Sequence, residues 1–171
     1  MHYQHIIWDY NGTLLNDVEL CVDVINGVLS KRSLPELTVE KYKEIFDFPV
    51  KDYYERLGFD FVNESFEIVG TEFIVEYDKR DKSNLLHAGA KQLLEKINRA
   101  GVRQSVLSAR EEKPLIEEMN CLGIYEEFEY ITGLNDHYAG GKTETGFRLI
   151  EKLNIPKDRI LMIGDTKHDA E

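Results

Sequence analysis

At 171 residues and 42 % hydrophobic content, the chain is long enough for one domain, or for a core domain carrying a small insert, and too apolar for a disordered segment. Two cysteines without a CxxC pair exclude a disulfide framework and a cysteine zinc site as organising features. A net charge of −11, with 16 acids against 8 bases over residues 1–80, excludes a basic nucleic-acid face, and no apolar run approaches the roughly 18 residues of a membrane span.

The start, Met1-His2-Tyr3-Gln4-His5, lacks the basic and apolar parts of a signal peptide, so the cytoplasm is the expected compartment. Neither nucleic acid nor membrane is an expected partner, and the sequence leaves the oligomeric state open. An anionic substrate would need local cations or a metal, because the overall field repels it.

His5-Ile6-Ile7-Trp8 reads as a buried strand leading into Asp9, and Tyr10-Asn11-Gly12-Thr13 as a tight turn. Asn16 is the expected N-cap of a helix, with Glu19 at the capping-box position. Val18, Cys21, Val22, Ile25, Val28 and Leu29 mark its apolar face, and Pro35 lies beyond its end. Helical pieces are expected over 39–45, 50–57 and 65–77, punctuated by Phe48-Pro49 and Gly58. From Gly89 onward helix and strand alternate. Ala90 to Ala100 is a helix stopped by Gly101, and Arg103 to Leu107 a strand ending at Ser108. Pro114 is expected to open the next helix, closed by Gly123. A strand over 128–131 ends at Thr132, a helix covers 143–153, and a strand over 159–163 ends at Gly164-Asp165. Cys21 and Cys121 fall on apolar stripes and read as buried thiols. The fold class is α/β: a Rossmann-like parallel sheet with a helical module inserted after its first strand.

In such a sheet, ligands sit at the carboxyl ends of the strands. Asp9, Ser108, Thr132 and Asp165 are the residues expected there. Two aspartates meeting at one edge repel unless a cation joins them. Mg²⁺ takes one or two carboxylates plus water and phosphate oxygens, and Lys142 would add positive charge for an anion. Each residue alone has an ordinary explanation, Asp9 as a turn residue, Ser108 as a cap, Lys142 as a surface charge. Their topological order is what points to a site.

These residues stand in four motifs. Ile6-Ile7-Trp8-Asp9-Tyr10-Asn11-Gly12-Thr13-Leu14-Leu15 is followed by Val106-Leu107-Ser108-Ala109, then Gly141-Lys142-Thr143, then Gly164-Asp165-Thr166-Lys167-His168-Asp169. Over essentially its whole length the chain resembles the haloacid dehalogenase superfamily of phosphohydrolases. The resemblance implies a Rossmann-like core over 1–15 and 82–171 and a helical C1 cap over 16–81. It implies that Asp9 attacks phosphorus to form an aspartyl-phosphate. Mg²⁺ would be held by Asp9, the backbone carbonyl of Asn11 and Asp165, with Asp169 as a further candidate. Gly12, Thr13, Ser108, Ala109 and Lys142 would bind phosphate oxygens, Lys142 also restraining Asp9.

Asn11 departs from the pattern, which usually has a second aspartate there to protonate the leaving oxygen and later deprotonate water. An amide does neither, and such help is worth roughly 10² to 10⁴-fold. Three explanations compete: a slow or specialised phosphatase, a non-catalytic or weakly active phosphoester-binding protein, or deamidation of Asn11-Gly12 to aspartate in part of the molecules. A phosphotransferase or mutase of the same superfamily is a further alternative.

Phe48-Pro49-Val50-Lys51-Asp52-Tyr53-Tyr54 resembles the segment of phosphoglycolate-phosphatase-like caps that faces the core, which makes Lys51 a candidate substrate contact. Phe46, Phe48, Tyr53, Phe59 and Phe61 read as the interior of the helical module. The expected partner is a small phosphorylated metabolite. Members of the superfamily continue past the fourth motif with a further helix and strand, so the C-terminal strand/helix is expected to be missing, leaving residues 159–163 at an unprotected sheet edge.

Overall fold

Four parallel strands form one sheet: β1 (His5–Trp8), β2 (Arg103–Glu111), β3 (Tyr130–Leu134) and β4 (Ile160–Ile163), in the order β3-β2-β1-β4. The computed structural model describes residues 2–80, 85–134 and 142–169. The chain divides into two compact units, Met1–Asn16 with Lys82–Glu171, and Asp17–Asp81.

In the sheet unit, the two-residue period of the strands sorts side chains onto opposite faces. Ile6, Trp8 and Val106 pack on one face against Leu94 of α5 (Ala90–Arg99) and Leu115 and Met119 of α6 (Glu112–Cys121). Ile7 and Leu107 pack on the other against Leu149 and Leu153 of α7 (Lys142–Leu153). Trp8 pairs with Val106 on one side and Ile163 on the other, so Asp9 stands level with Leu107, one residue before Ser108. The Asp9 N–H donates to the Ile163 carbonyl at 2.8 Å, which brings the Gly164-Asp165 turn beside it.

The other unit contains α1 (Val18–Ser30), α2 (Val39–Ile45), α3 (Val50–Arg56) and α4 (Phe66–Asp78). Its interior gathers Ile25, Val28, Leu29, Leu37, Tyr53, Tyr54, Phe59 and Val69, with Phe46 and Phe61 partly buried against them. Thr38 caps α2 through the Lys41 N–H.

Several expectations need correcting. The N-cap of α1 is Asp17 rather than Asn16, whose N–H instead pairs with the Leu85 carbonyl. β2 runs past Ser108 to Glu111 and passes directly into α6, so Pro114 is the third residue of that helix rather than its opening. Pairing of Glu111 with Leu134, across an irregularity in the register, draws out this polar end of the strand. Thr132 lies inside β3. Lys142 is the first residue of α7 instead of a loop residue. Cys121 is exposed and Cys21 partly so, because Leu115 and Met119 take the buried face of α6 and Val22, Ile25 and Leu29 that of α1.

Candidate active site

Strand register places Asp9 and Asp165 just past the carboxyl ends of β1 and β4, with Ser108 inside β2 one residue beyond the level of Asp9, and α7 adds Lys142. Asp9 is 7 % exposed. The Lys142 ammonium donates to Asp9 Oδ1 at 2.5 Å and also to Asp169 Oδ1. The second oxygen of Asp169 accepts from the N–H and hydroxyl of Thr166, at 3.0 and 2.7 Å. Thr13 donates its hydroxyl to Asp165 Oδ1 at 3.3 Å.

The backbone makes room for this crowding. Gly12 has φ of +77°, and a Cβ there would overlap the Asp165 carboxylate. A Cβ at Gly164 would overlap the Asp169 carboxylate in the same way. The Tyr10 carbonyl accepts from the N–H groups of Thr13, Leu14 and Leu15, closing the turn that contains Asn11, itself half-buried.

Electrostatics follow from burial. Burial pushes the Asp9 carboxyl up to about 6, against the pull of Lys142 and with a push from Asp169 and Asp165. Asp165 is raised too, by burial first and by Asp169 after it. Burial works in the same direction on Asp169, but the hydrogen bonds from Lys142 and Thr166 outweigh it and hold that carboxyl below its ordinary value.

One oxygen each from Asp9, Asp165 and Asp169 lies within 4.8 Å of the others. With Lys142 between them, three carboxylates against one ammonium leave an excess of two negative charges. All the donors are hard oxygens. A divalent cation of the Mg²⁺ type fits both the charge and the donor set.

Ser108 is buried, its Oγ accepting from the Arg110 N–H at 3.2 Å, and Ala109 is half-buried beside it. The structure thus brings together Asp9, Gly12, Thr13, Lys142, Asp165 and Asp169, with Ser108 and Ala109 on the neighbouring strand. Gly141 of the third motif lies outside the described residues. Lys51 belongs to the helical unit, exposed on α3 with its ammonium 5.9 Å from the Phe61 ring centroid. Thr166 stands in the fourth motif and His87 in the segment leading back into the core, and the sequence assigns neither a role. The His87 ring lies 3.3 Å from the Gly12 carbonyl, and only its place at the head of the segment before α5 hinted at it.

A family model for haloacid dehalogenase-like hydrolases matches residues 6–171. The chain belongs to that family. The tyrosine-protein kinase PtkA of Mycobacterium tuberculosis, and the PtkA of Mycobacterium bovis, are each 26 % identical over 98 % of this chain. The chain spans 57 % of the length of those curated relatives. The solved structure of M. tuberculosis PtkA superposes with a TM-score of 0.81 at 26 % identity, over 98 % of this chain and 77 % of that one. The structure of a predicted phosphoglycolate phosphatase from Haemophilus somnus matches with a TM-score of 0.79 at 18 % identity, over 99 % and 80 % of the two chains, a likeness of fold. Among the described residues, no helix is long and apolar enough to cross a membrane.

Proposed function

We propose that this family member is a Mg²⁺-dependent phosphatase that hydrolyses a small phosphomonoester through an aspartyl-phosphate on Asp9, slowly because Asn11 stands where the acid/base aspartate would be. The observation that carries it is the buried Asp9 held by Lys142, with Asp165 and Asp169 alongside. An Asp9 oxygen attacks phosphorus and the ester oxygen leaves with the bonding pair. Lys142 orients the attacking carboxylate and offsets charge on the transferring group, and Ser108 donates to a phosphate oxygen. Asp9, the Asn11 carbonyl and Asp165, with Asp169 close by, would hold Mg²⁺, which would neutralise charge between the two anions.

Asn11 shapes the substrate class. No proton is delivered to the leaving oxygen, so esters whose oxygen leaves unprotonated, aryl or acyl phosphates, react best. The phosphorylated Asp9 then waits on water that nothing at position 11 activates. The helical module expected over residues 16–81 would act as the cap that selects the substrate, with Lys51 as a contact.

A second reading is favoured by the relatives named tyrosine-protein kinase. The same lack of a base that slows attack by water leaves phospho-Asp9 open to a phenolic hydroxyl, which loses its proton more readily than an alcohol does. The phosphoryl group then passes from Asp9 to that oxygen, and the phenolic proton goes to solvent.

The test is a panel of aryl, acyl and alkyl phosphates with and without Mg²⁺, on the full chain and on Asp9→Asn. Mg²⁺-dependent phosphate release, highest for aryl or acyl esters and at background in Asp9→Asn, is expected. Equal release by Asp9→Asn would sink the nucleophile assignment. Release that rises with an added phenol acceptor, with phosphate found on the phenol, would favour transfer over hydrolysis.

A further inference from the structure

Inside the sheet unit, a chain of hydrogen bonds joins the turn after Asp9 to the irregular stretch of β2 at Ser108. Tyr10 is fully buried, and its hydroxyl donates to Oε1 of Glu118 at 2.8 Å. Glu118 projects from α6, and its Oε2 accepts from Nη1 of Arg110, also at 2.8 Å. Both side chains are largely buried, Arg110 at 15 % and Glu118 at 10 % exposure. The Arg110 N–H donates to Ser108 Oγ, so that hydroxyl accepts from the protein and keeps its own proton for an incoming oxygen. On the other side, Tyr10 carries the carbonyl on which the Asp9–Leu15 turn is closed.

Stability is a poor account of this trio. A buried ion pair recovers little beyond its desolvation, and an apolar set of the same volume is often as stable or more so. What the polar set adds is direction: one carboxylate gives one oxygen to Tyr10, which carries the turn after Asp9, and the other to Arg110, whose N–H holds Ser108. We propose that Glu118 is a positioning residue that sets the spacing between the Asp9 carboxylate and the Ser108 hydroxyl, acting through Tyr10 and Arg110. This rests on the reading of Asp9 as the nucleophile. Glu118 touches no substrate in this role. Its loss changes the geometry of attack and leaves uniform binding alone, so it acts on kcat and spares KM.

The experiment compares the full chain with Tyr10→Phe, Glu118→Gln and the double variant. Beryllium fluoride with Mg²⁺, followed by fluorine NMR, reads how well Asp9 accepts a phosphoryl mimic. Kinetics on 4-nitrophenyl phosphate read kcat and KM, and thermal melting reads folding. Tyr10→Phe keeps the ring and loses only the hydroxyl. It is expected to melt near the parent, to hold KM within about twofold and to lower kcat about tenfold, with weaker beryllium fluoride occupancy. The double variant should lose less than the product of the single losses, because the groups act as one unit. A folded Tyr10→Phe with parental kcat and parental occupancy overturns the proposal, as does a loss in Glu118→Gln that only follows its unfolded fraction. If the parent takes no beryllium fluoride, the nucleophile reading fails and this one with it. If the parent takes it without releasing phosphate, the occupancies of the variants against the parent decide.

Discussion

The helical unit sets Arg32 between Glu64 and Glu72 near its rim, and the sheet unit sets Lys142 between Asp9 and Asp169 in its interior. Each puts a cation between two carboxylates, and in the first set Lys31 adds a second cation 2.6 Å from Glu72 Oε1. Arg32 is 19 % exposed and its guanidinium spends separate N–H groups on the two acids. Lys142 is 7 % exposed, and a third carboxylate, Asp165, stands beside its pair. The first set is balanced by its own two cations and held by fixed fork geometry, as in an ordinary structural pair. The second leaves excess negative charge beside a buried pair, with exposed Asp165 at its open side. Charge concentrated under burial, with a compact ammonium that can re-aim, is what a site for a cation and an anion requires.

The largest effect that would sharpen this contrast comes from removing the two cations. Lys142→Met leaves two buried carboxylates facing each other and should lower stability at neutral pH by about 3 kcal/mol in urea unfolding, whereas Arg32→Met should cost about 1 kcal/mol. Equal losses would erase the distinction between the units.

Next in size is Asn11→Asp, which restores a titratable group to the turn. Turnover of alkyl phosphates with Mg²⁺ should rise about 10²-fold, and that of aryl phosphates less, because general acid help matters most for poor leaving groups. No gain on either class would remove Asn11 as the reason for slow turnover.

A third difference concerns polar atoms buried in the sheet unit away from the site. His5 is fully buried, its Nε2 2.8 Å from Ser105 Oγ and its Nδ1 3.8 Å from a Glu129 oxygen. Burial lowers its pKa from 6.5 to about 4. Between those values the unfolded chain takes a proton that the folded chain refuses, so stability falls as pH drops through that window and levels off below it. Asp9 works the other way, since its raised pKa favours the folded form on acidification below about 6. The difference in melting temperature between the parent and His5→Gln isolates the histidine. It should change from pH 6.5 towards pH 4 in the variant's favour. A pH-independent difference would show that His5 is protonated alike in both states.

The smallest effect lies in the helical unit. The Tyr53 hydroxyl is buried and has no hydrogen-bond partner among the described residues. Tyr53→Phe should therefore be neutral or stabilising by about 1 kcal/mol in urea unfolding, because it removes an unsatisfied polar atom. A clear loss would mean that the hydroxyl is satisfied by water.

Much of this was legible in the sequence where the signal is local. The apolar run His5–Trp8 and the helix Val39–Ile45 follow from short-range pattern and capping. Errors cluster where a distant partner overrides local preference. Polar Arg110 and Glu111 look like a strand end, yet pairing with β3 extends β2 over them. Asn16 looks like a cap, yet its N–H is taken by Leu85. Tyr10 reads as part of a tight turn, and Glu118, 108 residues away, carries nothing in its neighbourhood that marks it as a partner.

The sequence by itself determined which atoms are available: an aspartate after the first strand, an amide without a titratable proton at Asn11, a glycine able to turn tightly beside them. These are properties of residue types and of neighbours along the chain. Tertiary structure alone decided that Lys142, 133 residues from Asp9, reaches both Asp9 and Asp169, and that Glu118 ties Tyr10 to Arg110. The reason is the strand order β3-β2-β1-β4, which makes neighbours of strand ends far apart in sequence. Burial then turns nearness into strong electrostatics.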